Sequence, residues 1–223
     1  VEIKFNPVEI RVLGCLIEKE STTPEAYPLT LNSLTRAANQ LSNREPVMDL
    51  SETEVQEALD SLAKQMLVSS RSGADSRVLK YAHRLRERRT PEFDFDQTEL
   101  AVVAVLLLRG AQTLGEIRTR AARIYQFEDM QTLTATLQKL AERDDGPYTI
   151  QVSRQPGQKE VRYMHLFAGE VEASMQANTA SLTADPDTAA NPQKTGLEQR
   201  VQQLEDELLA LQEKLNSFIK QFE

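Results

Sequence analysis

Residues 77–83 read Arg-Val-Leu-Lys-Tyr-Ala-His, and residues 160–165 read Glu-Val-Arg-Tyr-Met-His. Aligned on the shared Tyr-x-His, Tyr81 answers to Tyr163, His83 to His165, Lys80 to Arg162 and Leu79 to Val161. The chain has two histidines, and both stand in these stretches. Tyr-x-His is therefore either a chemical site used twice or the trace of one structural unit built twice, and the segments upstream decide which.

Upstream of the first stretch, Val8, Val12, Leu13, Leu16 and Ile17 form one helical stripe, with Asn6 as its cap and Pro7 in its first turn. A shorter helix follows with Leu31, Leu34, Ala37 and Ala38 inward. Ser51-x-x-Glu54 is a capping box opening a third helix, with Val55, Leu59, Leu62 and Met66 as its stripe. Two short strands then flank a Ser-Gly-Ala-Asp-Ser turn. The second half repeats the order: an apolar helix with Glu99-Leu100 echoing Glu9-Ile10, a helix capped by Thr113-x-x-Glu116, and a third striped by Leu133, Leu137 and Leu140. A strand, a Pro-Gly turn and a strand close it, and Ser70-Arg71 recurs as Ser153-Arg154.

Three helices followed by a hairpin is the winged-helix plan, a variant of helix-turn-helix. The expected architecture is mainly α with small β-hairpins, in the α+β class. It comprises two tandem winged-helix domains (1–91 and 92–168), a flexible linker (169–196) and a C-terminal coiled-coil helix (197–223). Alternate strand residues share a face. Leu79, Tyr81, His83 and Leu85 therefore form one inward row, and Val161, Tyr163, His165 and Phe167 the other. A histidine in such a row is a core residue held by one or two hydrogen bonds.

Bulk composition bounds the function. With 223 residues, 40% hydrophobic and 27% charged, the chain has the balance of a globular protein. The longest apolar run, residues 100–108, is less than half of what a membrane helix needs, so no membrane partner is expected. One cysteine, Cys15, cannot form an internal disulfide and fits a cytoplasmic protein. The chain opens on Val1, which reads as trimming of a longer product. The net charge of −8 is uneven: residues 1–91 are neutral, 92–168 carry −2 and 169–223 carry −6. Local patches of the near-neutral globular part therefore decide what it binds.

The run from Tyr27 to Met48, "YPLTLNSLTRAANQLSNREPVM", with "VLKYAHRL" and "VRYMHLF" later, resembles the YceH family of bacterial proteins of unknown function. The resemblance spans about residues 4–168 and implies a tandem winged-helix fold and a cytoplasmic bacterial protein. It implies no activity, substrate or catalytic residue.

Duplex DNA is the first partner to weigh. In a winged helix the third helix enters the major groove and the wing meets the backbone. The wings carry Arg71, Arg77 and Lys80 in the first unit and Arg154, Lys159 and Arg162 in the second. The third helix of the second unit offers Gln131, Thr134 and Gln138 to base edges, together with Thr132 and Lys139. The third helix of the first unit exposes Glu52, Glu54, Glu57 and Asp60, which repel a duplex. A protein-interaction scaffold is the alternative, since winged helices also bind protein partners. The basic runs at 84–89 and 118–123, and the loop residues Asn39, Asn43 and Arg44, read as solvated or turn-forming groups or as phosphate contacts. No glycine-rich phosphate loop, nucleophile elbow or metal-ligand spacing occurs, so no catalytic residue, cofactor or metal is expected.

After Gly196, Val201, Leu208, Leu215 and Phe222 occupy one heptad position, and Leu197, Leu204, Leu211 and Phe218 the other. Such a seam needs a partner, most simply its own copy, so a homodimer is expected; docking back onto the winged helices is the rival. Sedimentation of the full chain against a chain ending after residue 170 distinguishes them. The full chain is expected to be a dimer and the shortened one a monomer, and a monomeric full chain rules out the homodimer.

Overall fold

The computed structural model describes residues 4–73, 76–86, 94–152 and 160–169. The expected linker beyond Gly169 and the expected coiled coil, with Arg154 and Lys159, lie outside them. Among the described residues the protein is mixed α/β, with six α-helices and two small antiparallel sheets.

Four helices begin with reciprocal capping boxes. Asn6 and Glu9 open α1 (Pro7–Thr22), and Ser51 and Glu54 open α3 (Glu52–Lys64). Asp96 and Glu99 open α4 (Gln97–Arg109), and Thr113 and Glu116 open α5 (Leu114–Ala121). Each box satisfies two N–H groups that helix geometry leaves without partners. The α4 box was not read from the sequence, although Asp96-x-x-Glu99 has the required spacing. The other two helices are α2 (Leu31–Ala38) and α6 (Met130–Ala141), with Thr30 and Asp129 as caps.

Each expected hairpin gains a third strand. The first sheet has β1 (Leu29–Thr30), β2 (Val68–Gly73) and β3 (Ser76–His83) in the order β1-β3-β2. The second has β4 (Gln112–Thr113), β5 (Thr149–Val152) and β6 (Arg162–His165) in the order β4-β6-β5. Strands of two residues have no alternation to read, which is why the sequence does not announce β1 and β4.

Strand register gives the repeat its sharpest form. Leu29 and Ser70 flank Tyr81, as Gln112 and Gln151 flank Tyr163. Thr30 and Arg71 flank Lys80, as Thr113 and Val152 flank Arg162. Val68 faces His83, as Thr149 faces His165. Ser70 thus corresponds to Gln151 and Arg71 to Val152, so the likeness of Ser70-Arg71 to Ser153-Arg154 is not one of register.

Two residues of the expected inward stripes face water. Leu79 is 47% exposed, because it lies toward the hairpin tip, beyond the helices that cover Tyr81 and His83. Met66 is 55% exposed: α3 stops at Lys64, and Met66 turns the chain at φ 61° so that Leu67 enters the core instead.

Helices α1 and α4 pack against each other, and both are buried around most of their circumference, including Ile10–Glu18 and Glu99–Leu108. A helix buried on nearly every side lies at the centre of a fold; α4 is apolar almost all round, whereas α1 also buries Glu9, Arg11 and Glu18. The halves are also tied reciprocally. The Phe5 N–H donates to the Phe167 carbonyl at 2.7 Å, and the Phe95 N–H donates to the Leu85 carbonyl at 2.9 Å. Phe5 and Phe95 each precede the first helix of their own half, yet each bonds the end of the other half's hairpin. Most of the buried apolar residues of both halves form one continuous cluster, with Ala111, Met164 and Leu166 in a small second one.

Gly14 lies where α1 meets α4. A Cβ there would stand 3.0 Å from Leu108 Cγ and Cδ2 and 3.1 Å from Leu107 Cβ. Gly14→Val is expected to lower the unfolding free energy by about 3 kcal/mol through overpacking. Gly14→Ala gains about 1 kcal/mol of helix propensity and should lose less. Urea unfolding measures both, and a valine variant as stable as the parent would mean that the helices do not meet at this position.

Candidate nucleic-acid interface

The candidate residues fall into two patches on different elements. Arg71 on β2 and Lys80 on β3 are register partners, and both are exposed. Directly opposed residues share a sheet face, and like charges placed so are destabilising. Thr30 flanks Lys80 on its other side, so a Thr-Lys-Arg row crosses the first sheet. Arg77 lies in β3 by its backbone, and its side chain is outside the described residues.

The corresponding row of the second sheet is different. Arg162 Nη1 donates to the Ala111 carbonyl at 2.9 Å and lies 3.4 Å from Glu116 Oε2. Its neighbour in the position of Arg71 is Val152, packed on a small apolar cluster of Ala111, Met164 and Leu166. Arg162, expected as a phosphate contact, thus already has a carboxylate and a carbonyl as neighbours, whereas Lys80 has neither among the described residues.

Gln131, Thr134 and Gln138 are exposed on α6 with the spacing of one helix face. The Thr134 hydroxyl donates to the Met130 carbonyl at 2.8 Å, and Gln138 Nε2 donates to Glu142 Oε1 at 2.9 Å. Lys139 is not part of that polar face. Its ammonium lies 2.8 Å from Asp96 and 3.3 Å from Glu99, tying α6 to the start of α4. Burial opposes ionisation of Asp96, but hydrogen bonds from Lys139, Thr98 and the Glu99 N–H outweigh it and hold its pKa at about 2.

On α3 the carboxylates Glu52, Glu54, Glu57 and Asp60 are all exposed, as expected. Glu52 accepts from Asn32 Nδ2 at 2.8 Å and Asp60 from Gln56 Nε2 at 2.8 Å, while Glu54 serves the capping box. These bonds leave their charges in place, so the first unit's third helix remains an acidic surface.

Asn39, Asn43 and Arg44 of the 39–48 loop hold the structure together. The Asn39 side chain accepts from the Leu50 N–H and donates to the Leu50 carbonyl, closing the loop. Arg44 forms a fork to Glu18 at 2.7 and 3.3 Å, with Nε on the Ala37 carbonyl, and is buried. Burial pushes the Glu18 carboxyl up, but the bond from Arg44 outweighs it and holds its pKa below the ordinary range. Arg109 of α4 donates to Asn43 Oδ1, and the Glu45 N–H donates to the Leu108 carbonyl at 2.8 Å. The loop thus fastens the first half to α4. Of the other basic runs, Arg118 donates to the Glu128 carbonyl and Arg86 lies 4.0 Å from Glu20.

The Tyr-x-His residues are packing groups. Tyr81 and His83 are buried; the Tyr81 hydroxyl donates to Gln56 at 3.0 Å, and His83 Nε2 lies 3.1 Å from Glu20. His83 Nδ1 accepts from the Leu85 N–H at 3.3 Å, and the His83 N–H donates to the Tyr27 hydroxyl at 2.9 Å. His165 is buried against Phe167, and its Nδ1 has no partner among the described residues. Burial pushes its pKa down to about 4. Cys15 is likewise buried, which pushes its thiol up to about 11. Among the described residues no helix is long and apolar enough to cross a membrane.

Residues 5–158 match the model of a family described as "Protein of unknown function, DUF480". The chain is 45% identical to a UPF0502 protein of Citrobacter koseri over 219 residues, 98% of each chain. It is 47% identical to the UPF0502 protein YceH of Escherichia fergusonii over 211 residues, covering 95% of this chain and 94% of that one.

The His165 environment sets a pH dependence. Its folded pKa of about 4 lies below the ordinary value of 6.5, so between these values the unfolded chain binds more protons and stability falls as pH falls. The full effect is on the order of 3 kcal/mol. Denaturant titrations at several pH values between these limits are expected to show this slope in the parent and to lose it in His165→Phe. A variant that keeps the slope would assign it to other groups.

Proposed function

The chain belongs to the DUF480 family, also named UPF0502 or YceH, whose description assigns no activity, and we propose that it is a non-catalytic, regulatory tandem winged-helix protein that binds duplex DNA. On this reading residues 1–91 and 92–168 are the two winged helices, each with its sheet as the wing. Residues 197–223 pair as a coiled coil in a cytoplasmic homodimer. The observation that carries the reading is the Thr30-Lys80-Arg71 row. Two exposed cations held directly opposite each other on one sheet face repel each other and are relieved by an anion between them. Phosphates of a duplex backbone supply such anions at regular spacing. The α6 face of Gln131, Thr134 and Gln138 supports the reading as a set of neutral donors and acceptors suited to base edges.

A second reading, a protein-interaction scaffold, is favoured by the acidic face of α3 and by two exposed apolar residues in the 39–48 loop. Leu41 is 85% exposed and Val47 53%. An acidic helix beside apolar contacts suits a basic protein partner better than a nucleic acid.

Anisotropy titration of a labelled duplex of about 30 base pairs, at salt from about 50 to 200 mM, separates the two. With Arg71, Arg77, Lys80, Arg154 and Lys159 on phosphates, the slope of log affinity against log salt is expected near −4.5. Arg71→Gln with Lys80→Gln is expected to make it shallower by about 2. An absence of binding at the lowest salt would discard the DNA reading and leave the scaffold.

A further inference from the structure

A cleft of about 220 Å³ lies between the two halves, bounded by Glu18 of α1, Asn43 of the 39–48 loop, α4, and the end of α5. Three arginines line it: Arg109, Arg120 and Arg123. Of the carboxylates near these arginines, Glu45 acts on Arg109 through its charge alone, and Glu18 and Glu116 are shared with other groups. Glu18 is gripped by the Arg44 fork and lies 3.6 Å from Lys19, so its 4.0 Å separation from Arg123 is a weak pairing. Glu116 accepts from the Thr113 N–H through Oε2, which also lies 3.4 Å from Arg162, while its Oε1 lies 3.7 Å from Arg120, a loose pairing beyond hydrogen-bond distance.

The cations are consequently under-compensated. Arg120 Nη1 is buried without an acceptor, an arrangement that costs free energy unless a partner is supplied. Arg109 is held in place by donating to Asn43 Oδ1. Burial first, and the Arg120 charge second, push its guanidinium below the ordinary range. Glu18 and Asn43 come from the first half and the arginines from the second, so an occupant would touch both halves.

We propose that this cleft is a binding site for a small phosphate-type oxyanion, either free or as the terminal group of a small phosphomonoester, held by Arg109, Arg120 and Arg123. A tetrahedral dianion presents several acceptor oxygens to guanidinium forks in the short, charge-assisted geometry that arginine favours. The volume admits one such group with a short substituent and excludes a nucleic-acid strand threading through. The site is separate from the Lys80 and Arg71 row, so the proposal does not depend on DNA binding.

The test uses the full chain in thermal melts at constant ionic strength, with sodium chloride replaced stepwise by inorganic phosphate or by glycerol 3-phosphate. A saturable rise in melting temperature is expected with at least one anion. A larger response to inorganic phosphate identifies the free ion as the occupant, and a larger response to glycerol 3-phosphate identifies an esterified one. Arg120→Gln and Arg123→Gln are each expected to weaken the apparent affinity by about tenfold or more, whereas Arg71→Gln leaves it unchanged. Arg123 is half exposed, so its variant reports on the site even if Arg120→Gln disturbs folding. The proposal is overturned if neither anion gives a saturable shift beyond chloride, or if the shift survives in the Arg123 variant. It is also overturned if those arginine variants lose duplex binding while showing no response to either small anion.

Discussion

The close approach of α1 and α4 at Gly14 is the constraint on which the rest of the molecule depends. Each half has a first helix that is buried on almost every side, more than its own two companion helices and small sheet present a surface for. Packing the two first helices against each other solves both problems at once, and Gly14 lets Leu107 and Leu108 come close at the contact. The reciprocal backbone bonds from Phe5 to Phe167 and from Phe95 to Leu85 then lock each half's lead-in onto the other's hairpin. The geometry resembles an isologous subunit interface contained within one chain.

Charge is placed around that apolar axis with some economy. Arg44 and Glu18 are buried together, each supplying what the other needs, and Arg44 also satisfies the Ala37 carbonyl. On the other side, Glu99 is buried and met by Arg143 at 3.1 Å and Lys139 at 3.3 Å. Arg143 stacks over the rings of Phe95 and Tyr148. A buried pair of this kind adds less to stability than its Coulomb attraction suggests, because both ions lost water. Its stronger effect is on specificity, since losing either partner would leave a bare charge in the interior. The polar residues Asn39, Asn43 and Arg44 of the 39–48 loop are therefore fastening groups, each bonded within the protein itself.

Much of the fold was legible in the residues. The capping boxes at Ser51 and Thr113, the Asn6-Pro7 start, and the stripes through Val55, Leu59 and Leu62 or Leu133, Leu137 and Leu140 all stand where periodicity and cap chemistry put them. The misses have local causes. The strands β1 and β4 are two residues long, and Met66 leaves its stripe because the helix ended before reaching it. The candidate interface was less legible. Arg71 and Lys80 are exposed as expected, but Arg162 is held by Glu116 and Lys139 by Asp96 and Glu99.

What the sequence determined by itself is everything that acts within a few residues: where helices begin, which faces are apolar, and that one unit is written twice. Those features follow from backbone hydrogen bonds and from side-chain spacing, and both are local. The tertiary structure alone decided which charges are free and how the halves are joined. A lysine or arginine is neutralised by carboxylates far away in the chain, as Lys139 is by a residue 43 positions earlier. How closely the two central helices approach reflects the absence of a Cβ at Gly14 on one and the position of two leucines on the other, a coincidence in space that no spacing along the chain encodes.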